Sequence, residues 1–206
     1  MSTKVLVPSG VLGLGFSEKA LEKGLKRNPD IICIDGGSTD SGPFYLGTGT
    51  TKYSEEVCKK EWRILMQARE RLKIPLMIGS CGTCGTNSMV DWMFQITSQI
   101  AKDLGQNLKI IRVYCEKKKD DLLNAFESNT IKPLNPILSV SNEEIETFSN
   151  IVALAGAEVF QKAISQKGDI ILVGRATDTA IISALPLLNK ESNAASWHGA
   201  KIAECG

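Results

Sequence analysis

The sequence predicts an α/β fold of the doubly wound, Rossmann-like type, with a mostly parallel sheet and helices on both faces. Short apolar runs rich in Ile, Leu and Val alternate along the chain with longer segments whose apolar residues recur with the helical period. Glycine-rich stretches directly follow several of these runs, as is typical of the carboxyl ends of strands in such sheets. A chain of 206 residues can bury this sheet in one core, so we expect a single domain over residues 1–206.

Five apolar runs are predicted to be strands. They cover residues 4–8, 31–34, 75–78, 109–114 and 170–173. The last of them, IILV, is the clearest, because it is β-branched, fully apolar and bounded by turn residues on both sides. Residues 152–155 carry a weaker signal that fits either a strand or the start of a helix.

The segments between the predicted strands read as helices. They cover residues 17–27, 54–72, 87–104, 158–167 and 179–188, with a solvated helix start at 117–121 and a short turn at 143–146. Ser17, Ser54 and either Asn87 or Ser88 are suited to cap the first three. Residues 131–141 contain two prolines and are expected to be a connection.

Charge and hydropathy argue against several classes of protein. The 24 Lys and Arg residues nearly balance the 23 Asp and Glu residues, so the basic excess that nucleic-acid binding needs is absent. The longest apolar runs are far shorter than the ~18 residues that span a membrane. The first residues do not resemble a signal peptide, so we expect a cytoplasmic protein with reduced cysteines.

Four loops are predicted at the carboxyl edge of the sheet, where doubly wound folds bind ligands. We call them the first loop (residues 9–15), the second loop (35–42), the third loop (79–87) and the fourth loop (174–179). Their glycines allow the backbone to approach a phosphate or a carboxylate closely. The residues that we expect to bind the ligand are Gly10, Gly13, Gly36, Gly37, Ser38, Thr39, Gly79, Ser80, Gly82, Thr83, Gly85, Thr86, Arg175 and Thr177.

The four loops differ in how specific their patterns are. The glycine spacing of the first loop matches neither a dinucleotide fingerprint nor a P-loop, so a plain turn explains it equally well. In the second loop, Asp35 and Asp40 are candidates for an acid, a base or a metal ligand. The alternative is that both aspartates only form turns or cap helices. In the fourth loop, Arg175 is suited to bind an anion through two parallel hydrogen bonds, and the alternative is an internal ion pair with Asp178 or a second-loop aspartate.

The candidate catalytic residues are therefore acidic side chains and one histidine. Asp35, Asp40 and Asp178 come from the second and fourth loops. His198 is the only histidine of the chain and titrates near neutral pH without help, although a structural role explains it as well. We expect these four side chains to supply acid and base groups in one cleft.

A Cys-X-X-Cys pair, Cys81 and Cys84, lies in the third loop. A redox centre at a helix start, half of a metal site and two small side chains packed in a tight turn all fit this spacing. A zinc site needs two more ligands, and the other candidates, His198 and Cys205, lie far along the chain. We therefore expect no metal site. A further hypothesis is a metal- or thiol-dependent enzyme that uses Cys81 and Cys84.

Several motifs resemble those of the acyclic terpene utilisation (AtuA-like) family of bacterial proteins. They are CIDGGSTDSGPFYLGTG at residues 33–49, IGSCGTCG at 78–85, GRATDTA at 174–180 with ALP at 184–186, Trp197-His198, and ECG at 204–206. They occur in the order of the family and span most of the chain. Family members are longer, so the chain resembles their N-terminal half. They usually carry Ala or Gly where Cys81 and Cys84 stand, which argues against an obligatory role for that pair.

The resemblance implies a place in the breakdown of branched acids handled as coenzyme A thioesters. We therefore expect an enzyme that acts on a small branched carboxylic acid or acyl-CoA by acid–base chemistry: hydration, dehydration or isomerisation. Its partners would be a small anionic metabolite or acyl-CoA, and further copies of itself or a second subunit. The alternative is a non-catalytic subunit that binds a ligand or assembles with a partner chain.

Overall fold

The strands lie in one parallel sheet. A computed structural model of the chain describes residues 2–38, 41–132, 134 and 140–204. Its strands are β1 (Val5–Leu6), β2 (Ile31–Asp35), β3 (Leu76–Gly79), β4 (Ile110–Val113) and β5 (Ile170–Val173). They are arranged in the order β1-β2-β3-β5-β4, and each pair of neighbours is parallel. This confirms the predicted α/β, Rossmann-like class.

Helices occupy most of the segments between the strands. They are α1 (Glu18–Leu25), α2 (Phe44–Thr48), α3 (Glu55–Leu72), α4 (Asn87–Asp103), α5 (Lys119–Glu127), α6 (Asn142–Thr147), α7 (Ala157–Ile164), α8 (Asp178–Leu188) and α9 (Asn193–Ala203). Within the described ranges, no helix combines the length and the apolar character that a membrane span demands.

The core has two halves, one on each face of the sheet. Helices α1, α3 and α4 cover one face, with Trp62 and Met93 fully buried among them. Helices α7, α8 and α9 cover the other face around Phe160. Strands β2, β3 and β5 are buried along their whole length. Parallel strands that are covered on both faces need apolar side chains at every position, which explains the continuous apolar runs in the sequence.

Several elements differ from the prediction. Strand β1 is shorter than residues 4–8 because it is an edge strand paired only with β2, and Pro8 has no N–H to extend the ladder. Residues 152–155 form neither a strand nor a helix but contribute to two isolated bridges, one antiparallel and one parallel. Helices α2 and α9 were not predicted. The prolines of the predicted connection, Pro133 and Pro136, lie outside the described residues.

One glycine allows the third and fourth loops to touch. Gly85 has a φ of +67°, and its carbonyl accepts a hydrogen bond of 3.0 Å from the N–H of Arg175. A Cβ atom at position 85 would lie 2.3 Å from that nitrogen, which is too close for either backbone to accommodate without moving. Gly105 has a similar φ of +63°, but a Cβ atom there would meet nothing within 4 Å.

Gly85 and Gly105 give a matched test of the close approach between Gly85 and Arg175. We expect Gly85→Ala to lower the free energy of unfolding by about 3 kcal/mol, through left-handed backbone strain and overpacking together. Gly105→Ala should cost only the backbone strain of about 1 kcal/mol. Urea denaturation of both variants measures the difference, and equal losses would show that the close approach is not needed.

Candidate functional site

The four loops meet at the carboxyl edge of the sheet and are tied together by backbone hydrogen bonds. The N–H of Leu12 donates to the carbonyl of Asp35 at 2.8 Å, which joins the first loop to the second. The N–H of Gly36 donates to Gly79 at 2.8 Å, which joins the second to the third. The bond between Gly85 and Arg175 joins the third to the fourth. Side chains from four distant parts of the sequence therefore come together here.

Arg175 is the central side chain of this edge, and it is only 5% exposed. Its Nη1 donates to the carbonyl of Gly37 at 3.1 Å and to that of Thr83 at 2.8 Å. Its Nη2 donates to the carbonyl of Ala176 at 3.3 Å and lies 3.8 Å from Oδ1 of Asp178. These contacts favour the internal role of Arg175 over the predicted bidentate binding of a ligand anion. Its Nε is buried without a hydrogen-bond partner.

Asp35, at the end of β2, is 7% exposed. Its Oδ2 accepts a hydrogen bond of 3.1 Å from the N–H of Gly37. The hydroxyl of Ser80 donates to the carbonyl of Ala176 at 3.4 Å. The Oδ1 of Asp35 is buried and has no partner. Burial and, to a smaller extent, the charge of Asp178 raise the pKa of Asp35 to about 8, against the opposing charge of Arg175.

This environment suits Asp35 to proton transfer. A carboxyl group with a pKa near 8 carries its proton at neutral pH and can lose it to a substrate without a large cost. The fold thus leaves one oxygen of an acid group unpartnered at the loops where a doubly wound sheet binds its ligands. The other predicted acid of the second loop, Asp40, and its neighbour Thr39 lie outside the described residues.

The first loop already holds a carboxylate from inside the protein. Glu61 of α3 accepts hydrogen bonds from the N–H groups of Gly13 at 2.7 Å and of Gly15 at 2.9 Å. This contact favours the interpretation of the first loop as a turn over a ligand-binding role for Gly10 and Gly13. Sequence reasoning missed Glu61, although its position on the buried stripe of α3, next to Trp62, is a usable signal for a buried charge with a partner.

The start of α4 is occupied in the same way. The carboxylate of Glu116 accepts a hydrogen bond of 2.7 Å from the N–H of Asn87, and the Asn87 side chain accepts one from the N–H of Glu116. An internal anion therefore takes the position that a ligand anion would take at a helix N-terminus. No local sequence pattern predicts this contact, because Asn87 and Glu116 lie 29 positions apart.

The remaining predicted ligand-binding residues lie in or beside this network. In the third loop, Gly79, Ser80, Gly82, Thr83, Gly85 and Thr86 are all buried. In the second loop, Gly36 and Gly37 are buried and Ser38 is half-buried. Thr177 is half-buried at the N-cap of α8. Most of these residues are therefore buried beneath the loop surface and support the site, and few of them are exposed enough to contact a ligand.

Cys81 and Cys84 are free and buried. Burial raises the pKa of the Cys81 thiol well above its usual range, which disfavours the thiolate that redox chemistry and metal binding require. The Sγ of Cys84 lies 3.3 Å from the hydroxyl of Thr86. Among the described residues, no three His, Cys, Asp or Glu side chains are grouped as a metal site. The geometry favours two small side chains packed in a tight turn.

His198 is not brought to the loops by any contact in the described part of the chain. It is exposed on α9, and this helix packs on α8. It takes part in no hydrogen bond or ion pair there. The described contacts therefore support neither the predicted catalytic role of His198 nor a structural one.

Residues 51–53, which the sequence patterns did not single out, adjoin the site. The N–H of Lys52 donates to the hydroxyl of Thr83 at 3.0 Å. The Tyr53 ring packs so closely on Gly13 that a Cβ atom there would lie 2.5 Å from its Cγ. Burial and, after it, the charge of Asp35 raise the pKa of Tyr53.

The raised pKa of Asp35 predicts a pH dependence of stability. Between about pH 4 and about pH 8 the folded state holds a proton that the unfolded state has lost, so stability falls as the pH rises through this window. Asp35→Asn cannot ionise and should remove this decline, whose slope can reach about 1.4 kcal/mol per pH unit. Urea unfolding at several pH values measures it.

The control for this experiment is Asp121→Asn, on the exposed surface of α5. Its stability profile should run parallel to that of the wild type. If the profile of Asp35→Asn also runs parallel to the wild type, the carboxyl of Asp35 is not the buried, protonated group described above.

The buried thiols predict slow chemical modification. In the native protein, Cys81 and Cys84 should stay unmodified by iodoacetamide under conditions that fully label the unfolded chain, because both side chains are buried away from the reagent. For Cys81, burial also raises the pKa of the thiol and so disfavours the reactive thiolate. Mass spectrometry of the digested protein reads each cysteine separately. Rapid native labelling of Cys81 would restore a thiol-dependent mechanism as a candidate.

Comparison of the chain with known protein families, with curated proteins and with solved structures found no match in any of the three. The resemblance to the AtuA-like family therefore stays a prediction, and the site has to be interpreted from its own geometry.

Proposed function

We propose that the chain is an AtuA-like enzyme, or the catalytic part of one, that acts on a small branched carboxylic acid or its coenzyme A thioester by proton transfer. The observation that carries this proposal is Asp35, a buried carboxyl group with a pKa of about 8 and one unpartnered oxygen. The reaction class is hydration, dehydration or isomerisation, since each of these moves a proton to or from the substrate.

The chemistry follows from the two protonation states of Asp35. The protonated carboxyl group donates its proton to an oxygen or carbon of the substrate as negative charge develops there. The resulting carboxylate then takes a proton from the substrate or from water, which restores the starting state. The hydrogen bond from the N–H of Gly37 orients the carboxyl group during both steps.

The substrate class rests on the sequence motifs that resemble the AtuA-like family, at residues 33–49, 78–85 and 174–180. The first of these motifs contains Asp35 and the last contains Arg175, which are the two side chains at the centre of the loop edge. A neutral carboxyl group can transfer its proton to the carbonyl oxygen of an acid or thioester as negative charge develops on that oxygen during the reaction.

Deuterium incorporation tests the proposal without knowledge of the reaction direction. Short branched saturated, unsaturated and hydroxylated acyl-CoA thioesters and their free acids are incubated with the protein in D2O and analysed by mass spectrometry. We expect one of them to be converted or to gain deuterium, and Asp35→Asn to slow this by about 100-fold or more. Asp121→Asn is the matched control and should behave as the wild type. Full activity of Asp35→Asn contradicts the proposal.

A second candidate function is that of a ligand-binding or assembly subunit that needs a partner chain. The observation that favours it is the exposure of large apolar side chains near the loop edge: Leu14 in the first loop is 66% exposed and Phe44 in α2 is 64% exposed. This candidate gains if the purified chain binds a thioester in a thermal-shift assay but converts it only after a second protein is added.

A further inference from the structure

The groups first expected to bind a ligand anion are engaged inside the protein. Both Nη atoms of Arg175 donate to backbone carbonyls, and the N–H groups of Gly13 and Gly15 donate to Glu61. An acidic substrate therefore needs another positive group for its charged end. The unpartnered Asp35 Oδ1 and Arg175 Nε, both buried, are independent signs that this edge is built for a ligand.

Lys52 is a positive group that meets this need. Its backbone is anchored to the site, because its N–H donates to the hydroxyl of Thr83, whose carbonyl accepts from Arg175. Its side chain is exposed, and its Nζ donates to the hydroxyl of Ser41 in the second loop at 2.9 Å. The Nζ also lies 5.8 Å from the centre of the Tyr53 ring.

The Lys52 ammonium lies beside two neutral side chains, Ser41 and Tyr53. Over residues 2–38, 41–132, 134 and 140–204, the ion pairs of the structure do not include Lys52. An ammonium group has three donors, so the bond to Ser41 leaves capacity for an anion. Thr83 links this position to the candidate acid, because its N–H donates to the carbonyl of Gly36, the residue after Asp35, at 3.0 Å.

We propose that Lys52 and the hydroxyl of Ser41 bind the carboxylate or phosphate group of the ligand whose reacting part lies at Asp35. This inference rests on the proposed function and adds a role that the sequence patterns did not assign. Lys52 is a binding residue, and proton transfer stays with Asp35. The two roles are therefore separable by experiment.

Isothermal titration calorimetry of the full chain tests the proposal with three probes: inorganic phosphate, isovalerate and coenzyme A. Phosphate and coenzyme A report a phosphate-binding position, and isovalerate reports a carboxylate-binding position. At least one probe should bind the wild type. Lys52→Met should weaken that binding about tenfold, because one charge-assisted hydrogen bond is lost. Lys52→Arg should keep it within about threefold, because the charge remains.

The matched control is Lys102→Met, an exposed lysine at the opposite end of the sheet, in the last turn of α4. It should bind the probe as the wild type does. Absence of binding by the wild type, or unchanged binding by Lys52→Met, overturns the inference. Binding that depends on Lys52 together with full turnover by Asp35→Asn would instead leave the anion site intact and refute the proposed function.

Discussion

The buried guanidinium of Arg175 is the interaction on which the architecture of the loop edge depends. Taking a full positive charge out of water is costly unless it is well hydrogen-bonded, and here the carbonyls of Gly37, Thr83 and Ala176 supply the partners. Those carbonyls belong to the loops after β2, β3 and β5. One side chain therefore holds three loops that are distant in sequence, and the position of Asp35 against the third loop follows from that arrangement.

In the glycine-rich loops, backbone N–H groups are likewise satisfied by charged groups within the protein, here by carboxylates. Free N–H groups in such turns attract anions, and this protein supplies anions of its own, Glu61 for the first loop and Glu116 for the start of α4. The buried backbone is thus satisfied without a ligand. A glycine-rich loop after a strand is evidence for an anion nearby, but that anion can be an internal carboxylate as readily as a substrate.

The chemistry of Asp35 is set by a balance between these charges. Burial and Asp178 favour the neutral acid, whereas Arg175, the Ser80 side chain and the hydrogen bond from Gly37 favour the carboxylate. The first group prevails, and the pKa rises to about 8, close to the pH at which an acid–base group is most useful. In the proposed function, the exposed ammonium of Lys52 binds the anion and the buried carboxyl of Asp35 transfers the proton.

The local patterns of the sequence were sufficient for the α/β class, for β2, β3 and β5, for the major helices, and for the position of Asp35 and Arg175 at the carboxyl edge of the sheet. Each of these follows from neighbours within one strand, helix or turn. Only the tertiary structure decided three features: the insertion of β5 between β3 and β4, the hydrogen bond between Gly13 and Glu61, and the exposure of His198 on α9. These features depend on contacts between residues far apart in the chain. Periodicity can mark a residue such as Glu61 as buried, but it does not identify the distant residue that it contacts.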